Sequence, residues 1–501
     1  MMDFKKRINS KHTPFWLTVL AVVFGLTLPI LVQEGMFQDA VLYSSVSHNM
    51  SQGFGTFWFP QYSTLNLEGI ASFHEQPPLI FGTLALFYKV LGSSMYVERL
   101  YVLITLILHL YFISMLWKEI IHALPERIKP NQTVKHLSWI PCLFWILIPI
   151  CFWSFRGNML ENSMSLFTLG AVITIYINLK EERNIFWWIL AGLLIFLASF
   201  SKGLPGLFPI GMPFIYWIIY RPKSFGKVLL NTTVLLLIPA SIYYIFYLFP
   251  ESRESLRIYV VERLLRRVSS MPTTSSRWET PWRLFQELIP ILSITLLSYI
   301  FTHRTKRKAN LSLYKKEAIF FLLIGLSAIL PLVLTMVQKG WYMVPGFPFL
   351  AIGLALLIAS SVSQWVGMIN IQKNGYKAFK ILSILVLVAV FVFTALQKGK
   401  ISRHEEMVKD VYQIGEIVPN FATITIPKEM YYQYDFILQG FLVRNYNISI
   451  SPEKEYRYYL KEKTASYEPP EGYTLIPTSL KTYDLFENKE REVKEIMAQP
   501  K

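Results

Sequence analysis

Charged residues are scarce in this sequence. Asp, Glu, Lys and Arg make up 16% of its 501 residues, and 53% of the residues are hydrophobic. A soluble chain of average composition carries about 25% charged residues. The apolar residues also fall in blocks of about 16 to 22, the length needed to cross a hydrocarbon core of about 30 Å. The composition therefore excludes an ordinary soluble protein and indicates a polytopic membrane protein.

Cysteine is nearly absent, and no glycine-rich phosphate loop is present. The two cysteines, Cys142 and Cys151, lie nine residues apart in one apolar block, which excludes a disulfide framework and a zinc cluster. Acidic residues are fewer than basic ones, and the net charge is +16. The basic residues form short clusters between apolar blocks, which is typical of cytoplasmic loops rather than of a nucleic-acid surface. We therefore expect membrane lipids, and no nucleic acid, as partners.

The basic loops fix the predicted topology. Three of them, 221–227, 303–308 and 372–377, belong inside by the positive-inside rule. Block 77–91 is short and opens with two prolines; if it crossed fully, these loops would lie outside, so it is interpreted as a partial or surface helix. About 11 to 13 membrane helices result, with external loops at 33–78 and 250–283. The apolar blocks are 15–32, 77–91, 99–117, 137–153, 163–178, 186–200, 204–220, 228–249, 284–301, 318–337, 341–360 and 378–396.

The composition changes near residue 397, where charged residues return. Short alternating runs beginning at Phe421, Phe436, Asn447 and Gly472 predict β-strands, and residues 405–418 predict a helix before them. We therefore predict a small external α/β domain over 397–501, after a transmembrane domain over 1–396.

Polar residues gather at the outer ends of the predicted helices. Ionisable groups at membrane depth cost about 2.5–3.5 kcal/mol on insertion scales and usually mark function. Lys202 stands out because its turn, "FSKGLPG", joins two apolar blocks; the alternative is that it only snorkels to the interface. For Tyr342 the alternative is an aromatic-belt position, and for Arg266 a lipid headgroup contact. The outer candidates are Asp39, Tyr43, His74, Glu75, Arg156, Glu161, Lys202, Glu262, Arg266 and Tyr342.

These residue types suit one kind of chemistry. A carboxylate can act as a general base on a hydroxyl or amine. Arginine and lysine bind phosphate by charge and hydrogen bonding. A carboxylate together with a phosphate clamp at a lipid interface indicates transfer from a lipid-phosphate donor, with the phosphate as leaving group.

Five motifs occur in the order found in a known superfamily. Asp39 followed by Tyr43, in "GMFQDAVLYSSVSHNM", resembles its first-loop pattern of an acid, an aromatic and an amphipathic helix. "FHEQPPL" is similar to its Glu-Lys-Pro-Pro-Leu motif, "SKGLPGLFP" to its Thr-Lys-Gly turn, and "WYMVPGFPFLAIGLA" to its Tyr-x-x-Pro-x-x-Pro helix. "RGNMLENSMSLF" is similar to its second-loop motif, where an acid precedes an apolar helix; Glu161 is the best match, and Asn158 is the alternative. Through most of the first 360 residues, the chain resembles the polytopic glycosyltransferases that use polyprenyl-phosphate sugars. Within them it is most similar to protein O-mannosyltransferases and to the aminoarabinose transferases that modify lipid A.

The resemblance implies a GT-C fold, an all-α membrane domain with a small extracytoplasmic α/β domain. It implies an inverting transfer of a sugar from a polyprenyl-phosphate donor to lipid A, another envelope glycan or a protein. Asp39 would be the catalytic aspartate, which takes the proton of the acceptor or positions it. Lys202, Arg266 and Arg156 would bind the donor phosphate, and Tyr43, Glu75, Glu161, Glu262 and Tyr342 would line the pocket.

Two departures from the family pattern concern charge. Gln76 stands where the family has lysine, which shifts phosphate binding to Lys202 and the arginines. Arg263 follows Glu262 where the family has a histidine that helps to bind a divalent metal. Either Arg263 replaces the charge of the metal or His74 supplies a ligand. No cofactor is assigned, and a divalent metal is left open with His74 and Glu75 as candidate ligands.

The interpretation places the protein in a bacterial cytoplasmic (inner) membrane, with the active site and carboxyl-terminal domain facing the periplasm. The alternative is a lipid-linked sugar transporter or flippase, which would also need a basic pocket and many helices. A transporter should show polar groups on both faces, whereas the candidates cluster on one. A third interpretation, a membrane anchor for residues 397–501, leaves Lys202 and the stretch from Glu75 to Pro78 unexplained.

Overall fold

A computed structural model describes residues 10–65, 72–125, 132–181, 184–222, 224–265, 272–304, 313–433 and 436–491. Arg266, and residues 305–308 of the second basic loop, lie outside this described part. The chain forms two compact units. The first comprises Met1–Pro29, Leu103–Arg156 and Leu160–Leu396; the second comprises Ile30–Val102, Gly157–Met159 and Gln397–Lys501. The second unit thus joins the predicted carboxyl-terminal domain to the predicted first external loop.

Helices dominate the chain, because long apolar stretches satisfy their backbone hydrogen bonds internally. Nine helices in the described residues are long and apolar enough to cross a membrane, and the chain is a multi-pass membrane protein. Before the first strand, the helices are α1 Thr13–Leu31, α2 Gln38–Ser51, α3 Leu79–Leu91, α4 Tyr96–His122, α5 Gln132–Lys135, α6 Trp139–Leu147, α7 Pro149–Ser154, α8 Leu160–Glu181, α9 Ile185–Lys202, α10 Met212–Tyr220, α11 Phe225–Leu248, α12 Pro250–Arg257, α13 Glu279–Arg304, α14 Lys315–Ile329, α15 Phe347–Gly367, α16 Asn374–Ala395 and α17 Glu405–Ile417.

Prolines set where the helices of two apolar blocks begin. Pro78 is the N-cap of α3, whose 13 residues span about 20 Å at 1.5 Å per residue. That length is shorter than the hydrocarbon core of about 30 Å, as expected for a partial helix. Pro149 begins α7, and the extended Ile148 before it separates α6 from α7, because the residue before a proline avoids the helical region.

The carboxyl-terminal part of the second unit contains a five-stranded sheet in the order β2-β1-β3-β5-β4. Strand β1 pairs in parallel with β2 and β3, and β5 pairs antiparallel with β3 and β4. Helices α18 (Lys428–Gln433) and α19 (Ile437–Tyr446) follow β1. The strands are β1 Thr423–Thr425, β2 Ser449–Ser451, β3 Tyr458–Glu462, β4 Thr474–Leu475 and β5 Tyr483–Glu487.

The strand prediction was right at three runs and wrong at one. Runs from Phe421, Asn447 and Gly472 contain β1, β2 and β4, and the predicted helix is α17. The run from Phe436 is the helix α19, not a strand. Strands β1 and β2 are parallel, so a crossover connection must join them, and α19 lies in that connection. Strands β3 and β5 were missed because charged residues interrupt their sequence alternation.

Candidate active site

The first unit contains a buried ion pair at the end of α9, one of the candidate membrane helices. Helix α9 ends at Lys202, because Gly203 follows with φ +93°, a conformation that favours glycine. The ammonium of Lys202 lies 3.0 Å from Glu161 Oε1, and the two side chains are 4% and 0% exposed. Glu161 lies in the first turn of α8, where the helix dipole favours a carboxylate. Two residues predicted separately from sequence are therefore in direct contact.

Two tyrosines lie near the end of α9. The Lys202 ammonium lies 5.8 Å from the ring centroid of Tyr342, which belongs to the 3₁₀ segment Gly340–Gly346; a cation–π contact extends to about 6 Å. The hydroxyl of Tyr259 occupies the space that a Cβ on Gly203 would fill. Tyr259 was missed by sequence reasoning, because one tyrosine among 28 gives no signal of its own.

Arg156 lies in the connection between α7 and α8. Its Nε donates to the Leu26 carbonyl at 3.0 Å, and its guanidinium lies 4.9 Å from the Phe152 ring centroid. The same connection is fixed by a reciprocal pair of hydrogen bonds between Ser154 and Asn162, of 2.8 and 2.9 Å. Asn162 follows Glu161 in the first turn of α8. The two hydrogen bonds with Ser154 therefore hold the start of the helix that carries Glu161.

Glu262 lies in the π-helical segment Ile258–Leu265, which also carries Tyr259. Its carboxylate accepts a hydrogen bond of 3.0 Å from Arg257, which also pairs with Glu254 at 2.8 Å. The Glu262 side chain is 49% exposed, so it is far less enclosed than Glu161. A π-helical turn departs from regular helix geometry and often occurs at functional sites.

The second unit carries the predicted catalytic aspartate. Asp39 is half-buried in the first turn of α2, where the helix dipole stabilises a negative charge. Tyr43 follows one turn later and is 4% exposed, with its ring 6.3 Å from Phe73. That contact brings the segment before Glu75 against α2. Asn158 donates to Ser44 on the same helix at 3.2 Å.

His74 and Glu75 do not form a ready metal site. The Nε2–H of His74 donates to the Trp58 carbonyl at 3.2 Å, and its Nδ1 accepts from Ser72 at 3.1 Å. Both ring nitrogens are therefore engaged. Within the described part of the chain, the side chains that meet in a threefold set with metal-ligand spacing are Glu119, His122 and Glu181. His74 and Glu75 therefore do not fit a divalent metal, and no chemical step is assigned to a metal.

Comparisons with known proteins give the fold. The crystal structure of ArnT from Cupriavidus metallidurans bound to undecaprenyl phosphate aligns with a TM-score of 0.60 and 13% identity, over 94% of this chain and 97% of that one. The oligosaccharyltransferase of Archaeoglobus fulgidus in its apo form aligns with a TM-score of 0.50 and 10% identity, over 90% and 70%. No protein-family model matches the chain, and no curated protein sequence matches it.

These alignments confirm the predicted GT-C architecture, with a helical membrane domain and a small carboxyl-terminal sheet. The resemblance to membrane glycosyltransferases is thereby confirmed at the level of the fold.

Proposed function

We propose that this protein, which has the fold of ArnT, is an inverting glycosyltransferase that uses a polyprenyl-phosphate sugar. The observation that carries the proposal is the buried Lys202–Glu161 pair at the end of a membrane helix, with the Tyr342 ring centroid 5.8 Å from the ammonium and the Tyr259 hydroxyl against Gly203. A buried ammonium at this depth is costly and usually functional. In the neighbouring structure, ArnT holds undecaprenyl phosphate.

Lys202 suits the donor phosphate. A lysine ammonium carries three N–H donors, so the same group can hold Glu161 and a phosphate oxygen together. Glu161 fixes the ammonium in place before the donor arrives, and charge that develops on the leaving phosphate meets a positioned cation. Arg156 and Arg266 are the further candidate phosphate ligands, and Glu262 and Tyr342 line the proposed pocket.

Asp39 is the proposed general base. An acceptor hydroxyl or amine attacks the anomeric carbon, and its proton passes to the Asp39 carboxylate. The bond between that carbon and the phosphate oxygen breaks, and the electron pair leaves with the polyprenyl phosphate. Attack from the face opposite the leaving group inverts the anomeric configuration. Tyr43 and Glu75 are proposed on the acceptor side of this reaction.

The proposed location is the outer face of a bacterial inner membrane, with the active site in the periplasm. Lipid A, another envelope glycan and protein are the acceptor classes that fit a reaction at this surface. The one-sided placement of the candidates in the predicted topology favours transfer over transport of a lipid-linked sugar.

The proposed function is tested by mass spectrometry of envelope lipids and glycoproteins from cells with and without this chain. We expect a sugar-sized mass to disappear with the deletion and to return with the wild-type gene. The acceptor that carries this mass identifies its class. No lost modification, together with a lipid-linked sugar accumulating on the inner leaflet, would instead support the transporter.

A substitution at Gly203 tests the geometry around Lys202. Alanine at Gly203 would hold an unfavourable φ of +93° and place its Cβ on the Tyr259 hydroxyl. Because either the helix end or Tyr259 must move, we expect the transfer rate of Gly203→Ala to fall by about 10-fold or more. Gly211→Ala is the matched control, since a Cβ there meets nothing within 4 Å. Equal transfer rates for Gly203→Ala and Gly211→Ala would show that Tyr259 does not belong to the site.

A further inference from the structure

Helix α2, which carries Asp39, packs directly on α19 of the carboxyl-terminal part of the same unit. The close approach occurs at Gly440, where a Cβ would lie 3.0 Å from Val41 Cγ1. The chain before α2 is held by the segment that precedes α17. Glu34 forms a backbone bridge to Ile401, and Ser402 Oγ donates to the Glu34 carbonyl at 2.8 Å.

Arg444, one turn further along α19, is a buried cation that the proposed chemistry does not use. Its side chain is 5% exposed. Its guanidinium donates to the carbonyls of Ser93 and Ser94, each at 3.0 Å, and to Glu98 Oε2 at 2.8 Å. Glu98 is 1% exposed. The planar guanidinium donates to three acceptors. It therefore fixes both the distance and the angle between α19 and these acceptors, which a lysine at this position would not do.

This ion pair reaches α2 through an aromatic contact. Tyr88 donates to Glu98 at 2.9 Å, and the Arg444 guanidinium lies 4.8 Å from the Tyr88 ring centroid. Tyr88 also contacts His48, in the last turn of α2, with ring centroids 5.4 Å apart at 87°. Burial, and then the charge of Arg444, lowers the pKa of His48 to about 3, so a neutral ring packs on Tyr88 at physiological pH.

We propose that α19 positions the helix that carries Asp39, with Gly440 setting the close approach near its start and Arg444 fixing its end through Glu98, Tyr88 and His48. The carboxyl-terminal domain is then a working part of the acceptor side, and Gly440 and Arg444 are positioning residues rather than catalytic ones. The inference rests on the role proposed for Asp39.

Gly440→Ala separates positioning from stability. Alanine is a better helix former than glycine, so α19 itself is not weakened, but the new Cβ pushes on Val41. We expect kcat to fall by about 10-fold, with an unchanged or higher unfolding temperature and an unchanged KM for the donor. Val41→Ala in the same chain removes the methyl groups that the new Cβ meets, and kcat should recover. Gly375→Ala is the control, because a Cβ there meets nothing within 4 Å in helix α16.

Arg444→Lys tests the other anchor. Lysine keeps the positive charge but lacks the planar set of guanidinium donors. We therefore expect kcat to fall by about 10- to 100-fold, while the KM for the donor is unchanged. Arg457→Lys is the matched control, because the Arg457–Glu487 pair, at 2.6 Å, joins a neighbour of β3 to β5 within the sheet. Purified full-length variants are compared for folding by thermal unfolding and for transfer by initial rates.

Unchanged kcat in folded Gly440→Ala and Arg444→Lys would overturn the inference. So would a Gly440→Ala defect that Val41→Ala fails to relieve. If Arg444→Lys does not fold, the Gly440 and Val41 variants decide alone. Failure of the proposed function has a different signature, because wild-type protein would then show no Asp39-dependent transfer.

Discussion

Asp39→Asn is expected to abolish sugar transfer while leaving the protein folded. A general base contributes about 10²- to 10⁴-fold to a rate, and asparagine cannot accept the proton of the acceptor. The lost interaction with the dipole of α2 is worth about 0.3 to 2 kcal/mol at a partly buried position, so the fold should survive. The measurement is the initial rate of transfer by purified protein, with donor KM determined alongside kcat. The donor KM should stay unchanged, because the donor phosphate is assigned to other residues.

Glu405→Gln provides the control for Asp39→Asn. Glu405 is also in the first turn of a helix of the second unit, and its 60% exposed side chain pairs with Lys409. That substitution removes one negative charge from a comparable helix position without touching the proposed chemistry. A fully active Asp39→Asn variant would exclude Asp39 as the base and return the search to Glu75.

Lys202→Met is expected to have the largest combined effect on stability and activity. It leaves the Glu161 carboxylate, which is 0% exposed, without its ammonium partner. Removal of one member of a buried pair costs about 3–5 kcal/mol, so the unfolding temperature in detergent should drop clearly. Lys409→Met, at an exposed pair, should cost no more than about 1 kcal/mol.

The double variant Lys202→Met/Glu161→Gln separates the two roles of Lys202. Because no unpaired charge remains buried, much of the stability should return. Transfer should stay lost, since the positioned cation for the leaving phosphate is gone. Recovery of both stability and transfer would make Lys202 a structural residue and would contradict the donor site.

The buried pair also explains how a lysine is retained at the end of a candidate membrane helix. An isolated ammonium there would be expelled or neutralised, whereas a neutral Lys–Glu pair can remain. Both side chains of the pair are almost fully enclosed, and the Tyr342 ring centroid lies 5.8 Å from the ammonium. Low exposure to solvent strengthens each electrostatic contact with the proposed donor phosphate.

The sequence alone determined the membrane class, the helical architecture and the type of carboxyl-terminal domain. Helix length and apolar composition act locally, because each spanning segment must satisfy its own backbone. The turn at Lys202, the partial helix after Pro78 and strand β1 followed from such local signals. Sequence reasoning could also name Glu161 and Lys202 as candidates, but not as partners.

Only the tertiary structure decided which residues meet. The Lys202–Glu161 contact joins the start of one helix to the end of the next, and Tyr259 reaches Gly203 across 56 residues of chain. Likewise, the run from Phe436 is helical because β1 and β2 are parallel and need a crossover, which is a property of their pairing rather than of the run. The burial of Arg444 on Glu98 depends on residues 346 apart. Packing between distant segments decides such contacts, so they cannot be predicted from local composition.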